Sequence, residues 1–108
     1  MTEPDLIAIE GTILETQNLT TSKGDMLLEI VLEQVRKHRE HDFHEYYPVT
    51  FWNEEIPTVA RRGMRVRVLC RVAGRMNMNT GKCYANLRGV SLTVLPEEPL
   101  RRLGNDRD

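Results

Sequence analysis

Residues 64–72, with the sequence MRVRVLCRV, alternate between two kinds of side chain with a period of two. One phase is apolar and consists of Val66, Val68, Cys70 and Val72. The other phase is mainly basic and consists of Arg65, Arg67, Leu69 and Arg71. Because successive side chains of a strand point to opposite faces, this period predicts a β-strand with the apolar phase inside and the basic phase in solvent.

Four further segments have strand patterns, so the whole chain is predicted to be all-β. They are residues 6–14, 26–35, 45–52 and 83–95. Gly11 and the Arg88–Gly89 step interrupt the alternation of the first and last strands, which predicts a bend or bulge at each. Between the strands, 36–44 is predicted to be a polar connection and 76–82 a hairpin tip.

Residues 53–63, NEEIPTVARRG, form the single predicted helix. Asn53 would cap it and Gly63 would end it, although Pro57 weakens the pattern. Five strands with bulges in the first and last, and a short helix between strands 3 and 4, are the layout of a small closed barrel. The five-stranded oligonucleotide-binding barrel fits this layout best, and a five-stranded sandwich is the alternative.

The chain of 108 residues has the length of one domain. We expect that domain to span 1–96 and to bind nucleic acid. Residues 97–108 are charged and broken by proline, and we expect them to form a flexible tail.

Charge is distributed unevenly along the chain although the net charge is −1. Residues 1–35 hold seven acidic residues and one basic residue, whereas 56–96 hold eight basic residues and no acidic residue. This asymmetry suggests a one-sided basic surface that attracts a polyanion. The alternative is that an acidic strand neutralises a basic one beside it in the sheet.

Several classes of function are excluded by what the sequence lacks. No apolar run is long enough to cross a bilayer, and the acidic N-terminus is unlike a secretory signal, so we expect a cytoplasmic protein. Cys70 and Cys83 are read as free thiols in a reducing compartment. No catalytic residue pattern or phosphate-binding glycine-rich loop is present, which predicts that the chain is not an enzyme and needs no cofactor.

The three histidines are His38, His41 and His44. Their spacing suits one face of neither a helix nor a strand. No metal site is therefore predicted, and the histidines are expected in a solvated loop.

Five of the six aromatic residues lie within 42–52, DFHEYYPVTFW. Alternation puts Tyr46, Thr50 and Trp52 on the face opposite Val49 and Phe51, and therefore on the outer face. Tyr46 and Trp52 could instead pack in the core or at a subunit interface, where aromatic residues are also enriched.

The run FHEYYPVTFWNEEIPTVARRGMRVRVLCRVAGR, residues 43–75, resembles the central part of bacterial single-stranded-DNA-binding proteins. Residues 9–33 are similar to the first hairpin of that family. The segments VLEQV and DFHE are also similar to primosomal replication protein N, a dimeric relative. The resemblance implies an oligonucleotide-binding fold, single-stranded DNA as ligand, and a homo-oligomer that is a dimer or a tetramer.

By the same resemblance, Tyr46 and Trp52 align with base-stacking aromatic residues. Candidate phosphate contacts are Lys23, Arg36, Lys37, Arg75, Lys82 and Arg88. The chain departs from the family where Val35 and Met76 or Met78 replace further stacking residues. It also lacks the family's acidic tail that recruits partner enzymes.

Three hypotheses follow. The first is single-stranded-DNA binding, by base stacking and phosphate neutralisation, in DNA replication, DNA recombination or mobile-element transfer. The second is a protein-interaction barrel of a primosome or replisome, with weak or no DNA binding. The third is a structural oligomer in which Trp52 is buried between subunits.

Overall fold

The computed structural model describes residues 5–96, which form five strands and one short 3-10 turn. The elements are β1 Leu6–Thr20, β2 Met26–His38, β3 His41–Trp52, the 3-10 turn Asn53–Glu55, β4 Arg65–Met76 and β5 Cys83–Val94. The tail predicted over 97–108 lies outside the described residues, as do residues 1–4 of the predicted domain.

The strands close into a barrel in the order β1-β2-β3-β5-β4. The first part of β1 pairs with β4, from Leu6↔Arg71 to Thr12↔Arg65, and its second part pairs with β2. The barrel closes where β3 and β5 run parallel, at Val49↔Leu87 and Thr50↔Arg88. The all-β prediction and the five-stranded barrel are therefore confirmed, and the sandwich is excluded.

The core follows from the alternation of the strands, because each strand contributes the residues of its apolar phase. The buried set consists of Ile9, Ile13, Leu28, Ile30, Leu32, Val49, Phe51, Val66, Val68 and Cys70. Among the described residues no polar or charged side chain is buried. Hydrophobic burial at about 25 cal/mol per Å² of apolar surface therefore dominates the stability of this barrel.

Both predicted irregularities of the strands are present, in slightly different places. The register of β1 against β2 shifts between Ile13 and Glu15, whereas Gly11 itself lies where β1 crosses close to β2. A Cβ on Gly11 would lie 2.7 Å from the backbone oxygen of Glu33, so this approach requires glycine. In β5 the extra residue is Val90, directly after the predicted Arg88–Gly89 step.

The helix predicted over 53–63 is wrong in extent, because only the 3-10 turn Asn53–Glu55 forms. Ile56 already has an extended backbone with ψ 123°. Pro57 follows it, and the proline ring disfavours helical geometry at the preceding residue. Asn53 is not the cap, since Trp52 precedes the turn and Asn53 itself has φ 47°. Its side chain instead accepts a hydrogen bond from the Met26 backbone N–H at 2.9 Å.

Two hairpins extend beyond the barrel. Residues 36–44, predicted to be a connection, continue β2 and β3 as a paired hairpin as far as His38↔His41. We call residues 34–45 the β2–β3 arm. Residues 73–86 form the β4–β5 arm, which ends at the predicted tip. Val72 lies at the base of this arm, opposite Leu87, and it is exposed rather than inward as the alternation predicted.

Candidate nucleic-acid interface

The outward side chains of β3, β5 and β4 form one continuous surface. The parallel pair Thr50↔Arg88 joins β3 to β5, and the antiparallel pairs Arg71↔Arg88 and Arg75↔Tyr84 join β5 to β4. Residues two apart on each strand point the same way, so these pairs set out a grid of side chains across three strands.

A cleft of about 510 Å³ lies on this surface, and we call it the β3–β5–β4 cleft. It is lined by Glu29, Thr50, Trp52, Arg71, Ala73, Arg75, Tyr84, Asn86, Leu87 and Arg88. Three guanidinium groups and two aromatic rings thus surround the cleft, against one carboxylate. Such a surface has a positive potential and offers flat apolar faces beside it.

Trp52 is half-buried at the end of β3, where it lies opposite Leu27 of β2. The guanidinium carbon of Arg88 lies 5.8 Å from the centre of the indole ring, within the range of a cation–π interaction. Nη2 of Arg88 also lies 3.4 Å from Oε1 of Glu55 in the 3-10 turn. Of the predicted site residues, the structure therefore brings Trp52, Arg75 and Arg88 together.

Tyr84 and Arg71 line the same cleft, and the sequence interpretation gave neither of them a role. Tyr84 is 51% exposed on the β4–β5 arm, opposite Arg75. Alternation alone could have found them. Arg71 was in the outward phase of β4, and Tyr84, Asn86 and Arg88 form one phase of β5.

Tyr46 is exposed on β3 in the same outward phase as Trp52, but it does not line the cleft. Six residues separate the two rings along the strand, which corresponds to about 20 Å. Tyr46 lies opposite Glu33 of β2. The structure therefore puts the two predicted stacking residues on one face without bringing them together.

The remaining predicted phosphate contacts also lie away from the cleft. Lys23 is in the exposed turn between β1 and β2, and Lys82 is at the exposed tip of the β4–β5 arm. Arg36 and Lys37 are successive residues of the β2–β3 arm, so their side chains leave opposite faces of it. Lys37 shares the outward phase of Tyr46, and Arg36 does not.

Arg36 is engaged within its own arm. Its Nε donates to Oε1 of Glu45 at 2.7 Å, and the hydroxyl of Tyr47 donates to the same oxygen at 2.9 Å. The negative charge of Glu45 raises the pKa of Arg36, and the hydrogen bond to Glu45 raises the pKa of Tyr47. This cluster fixes the base of the arm beside the barrel.

The histidines belong to the β2–β3 arm rather than to a loop. Nδ1 of His44 lies 2.7 Å from Oε2 of Glu33, across the hairpin. Within residues 5–96, no three histidine, cysteine or acidic side chains form a group that could hold a metal ion.

Both cysteines are free thiols. Burial inside the barrel raises the pKa of Cys70 to about 11, whereas Cys83 is exposed on the β4–β5 arm. Cys70 lies opposite Gly89 and Cys83 lies opposite Met76, so the two sulfurs are far apart in the hairpin. Among the described residues, no helix has the length and apolar character needed to cross a membrane.

No family model matches the sequence, and no curated protein shows a significant match to it. Solved structures do match. The single-stranded-DNA-binding protein from Thermus aquaticus has a TM-score of 0.68 at 16% identity, over 84% of this chain and 50% of that one. The chain therefore spans half the length of the Thermus protein.

Two further solved structures also match the fold of this chain. An SSB from Plasmodium falciparum in complex with single-stranded DNA has a TM-score of 0.66 at 17% identity, over 89% of this chain and 100% of that one. The dimeric N-terminal domain of PriB from Thermoanaerobacter tencongensis has a TM-score of 0.61 at 17% identity, over 85% of this chain and 97% of that one. This chain has the oligonucleotide-binding fold.

The predicted resemblance to single-stranded-DNA-binding and PriB structures is thus confirmed at the level of the oligonucleotide-binding fold. In this protein, the cleft lies on the outer face of the barrel, across β3, β5 and β4. The roles of individual side chains there rest on the geometry of this chain.

Proposed function

We propose that this chain binds single-stranded DNA in the β3–β5–β4 cleft. One observation carries the proposal: Trp52, Tyr84 and three arginines surround a single cleft on the outer face of the barrel. The likeness to the Plasmodium SSB, whose structure holds single-stranded DNA, supports the same ligand.

The chemistry of the cleft matches the two requirements of an unpaired strand. Exposed aromatic rings stack on bases at about 1–3 kcal/mol per base, and cationic side chains bind the phosphates between them. A duplex already stacks both faces of each base internally, so it offers nothing to Trp52 or Tyr84. Selectivity for single strands follows from this difference.

The bound strand continues beyond the cleft in this proposal. Thr50 pairs with Arg88 where β3 and β5 run parallel, and Tyr46 on β3 and Tyr84 on β5 each lie four residues before this pair. This distance is about 13 Å along each strand. Tyr46 is then a further stacking residue, with Lys37 on the same face. Lys23, Arg36 and Lys82 add positive potential at longer range.

We assign the binding activity to replication, recombination or mobile-element DNA metabolism in the cytoplasm, without catalysis. A homo-oligomer, dimer or tetramer, would add the modest affinities of separate clefts. The likeness to a dimeric PriB domain supports this assembly. That likeness also favours the second candidate, an interaction module of a primosome or replisome.

Trp52 is the only tryptophan of the chain, so its fluorescence reports directly on the cleft. We expect an oligo-dT strand to quench this emission at low salt, and added salt to restore it. A duplex of the same length should quench far less. Trp52→Ala should weaken binding of a labelled oligo-dT about tenfold or more, measured by fluorescence anisotropy.

Arg61→Ala is the matched control, because Arg61 is exposed in the segment that precedes β4 and is not among the residues that line the cleft. It should leave affinity nearly unchanged. If oligo-dT neither quenches Trp52 nor gains anisotropy at low salt, the DNA-binding proposal is wrong. Capture of a replication protein that resists nuclease treatment would then select the interaction module.

A further inference from the structure

Glu55 is an acidic residue at the edge of a basic cleft. Its Oε1 lies 3.4 Å from Nη2 of Arg88, and the side chains of Arg88 and Glu55 are 45% and 36% exposed. The same guanidinium group lies beside the Trp52 ring, 5.8 Å from its centre. Arg88 therefore bridges a carboxylate and an indole, and both are held by the end of β3 and the turn that follows it.

The surroundings of Arg88 favour an anion at the position that Glu55 occupies. Arg71 lies directly opposite Arg88 in the β4–β5 register, and like charges opposite each other on one face repel. A carboxylate beside Arg88 offsets this repulsion. A phosphate group would offset it more strongly, since it presents more acceptor oxygens to guanidinium donors.

We propose that the Glu55 carboxylate occupies the place of a backbone phosphate on Arg88 in the free protein, and that the phosphate of a bound strand displaces it. The inference rests on the proposed function. When Arg88 turns from Glu55 to the phosphate, it also leaves the indole, and a base can stack on Trp52. Glu55 is thus a positioning residue that competes with the ligand.

This competition predicts that loss of the Glu55 charge strengthens binding. Neutralising any nearby acid would have some such effect, so a matched control is needed. Glu54 provides it, because it precedes Glu55 in the same turn, is exposed, and forms no ion pair within residues 5–96. Glu54→Gln removes the same charge without touching Arg88.

Binding of a labelled oligo-dT would be measured at one low salt concentration for the wild type, Glu55→Gln, Glu54→Gln, Arg88→Ala and the double variant Arg88→Ala/Glu55→Gln. We expect Glu55→Gln to tighten binding about two- to fivefold more than Glu54→Gln does, the range of an exposed ion pair. In the Arg88→Ala background this additional gain should disappear, because the competed group is absent.

Quenching of Trp52 by acrylamide in the free protein supplies a readout that needs no DNA. We expect Arg88→Ala and Glu55→Gln to increase quenching, since the guanidinium is lost or released from the ring, and Glu54→Gln to leave it as in the wild type. Circular dichroism confirms that each variant is folded.

The outcomes separate the two proposals. A wild type that does not bind oligo-dT overturns the proposed function and this inference with it. A wild type that binds, with equal effects of Glu55→Gln and Glu54→Gln, overturns the inference alone. The same holds if the gain from Glu55→Gln persists without Arg88, or if no variant changes the quenching of free Trp52.

Discussion

Gly89 and Phe51 meet inside the barrel where β5 crosses β3. Phe51 is completely buried, and a Cβ built on Gly89 would lie 2.6 Å from two carbons of its ring. The backbone of Gly89 is not in the positive-φ region, so only the ring opposes a side chain at this position. The glycine lets the largest core side chain reach the seam between β3 and β5.

Gly89→Ala should therefore destabilise the barrel by about 1–3 kcal/mol, the usual cost of overpacking a core. The free energy of urea unfolding measures the change. Gly74→Ala is the control, because a Cβ there meets no atom within 4 Å. Its effect should stay within about 0.5 kcal/mol. If both variants lost similar amounts of unfolding free energy, the cause would be the replacement of a strand glycine in general, and contact with Phe51 would not explain the loss.

The outward position of Trp52 could be predicted from the sequence, because the alternation of β3 is unbroken from Tyr46 onward. The partnership of Trp52 with Arg88 could not. It depends on the parallel pairing of β3 with β5, and these strands are separated in sequence by all of β4. The outward direction of Tyr84 was predictable from the alternation of β5, whereas its place in the cleft opposite Arg75 depends on how β5 pairs with its neighbours.

At the scale of elements, the two arms differ in what they offer a ligand. In the β2–β3 arm, Arg36 is paired with Glu45, and Nδ1 of His44 lies 2.7 Å from a carboxylate oxygen of Glu33 at the base of the arm. The β4–β5 arm carries Arg75 and Tyr84 in the cleft. The β4–β5 arm is therefore the stronger candidate for the phosphate contacts of the bound strand.

Arg75→Ala and Arg71→Ala should each weaken oligo-dT binding and reduce the dependence of affinity on salt. The slope of log K against log salt concentration is negative, and each lost phosphate contact reduces its magnitude by about 0.7 for single strands. Titrations at four salt concentrations measure this slope. Arg61→Ala should leave the slope unchanged. An unchanged slope in both cleft variants would mean that neither arginine contacts phosphate.

The segment between β3 and β4 shows how one residue limits a prediction. The sequence has residues typical of both ends of a helix: Asn53 and two glutamates at the start, and Gly63 at the end. Pro57 overrides them, because it holds Ile56 in an extended conformation and the chain leaves the turn after three residues. The strands were predictable because alternation holds over most of their length, although it is interrupted near Gly11 in β1 and at Arg88–Gly89 in β5.

At the scale of the whole molecule, the acidic residues of 1–35 lie mainly on β1 and β2, and the basic residues of 56–96 lie mainly on β4 and β5. Glu10 lies opposite Arg67 where β1 pairs with β4, which is the neutralisation expected between neighbouring strands. Arg71 and Arg75 lie opposite Arg88 and Tyr84 instead. Arg71 and Arg75 thus have no acidic residue opposite them in the β4–β5 pairing, and positive charge collects on the outer face of these two strands.

The same arrangement puts the cleft across the narrowest seam of the barrel. Within residues 5–96, β3 and β5 pair only at Val49↔Leu87 and Thr50↔Arg88, whereas the β2–β3 and β4–β5 hairpins pair along their whole length. Local opening should begin at this seam, because few backbone hydrogen bonds hold it. A strand bound to Trp52 on β3 and to Arg88 on β5 spans the seam.

Binding of oligo-dT should therefore slow amide hydrogen exchange most at Thr50 and at Leu87–Arg88. Mass spectrometry of peptides covering 49–52 and 86–89 measures the effect, and 28–32 of β2 serve as the reference. A ligand that merely stabilised the folded state would slow exchange equally on every strand, at those amides that exchange only when the whole protein unfolds. Protection confined to the β2–β3 arm, with the seam and the β4–β5 arm unchanged, would mean that the strand avoids the β3–β5–β4 cleft. Protection concentrated at the seam would mean that the bound strand stabilises the pairing of β3 with β5, which has the fewest backbone hydrogen bonds of the strand pairs in the barrel.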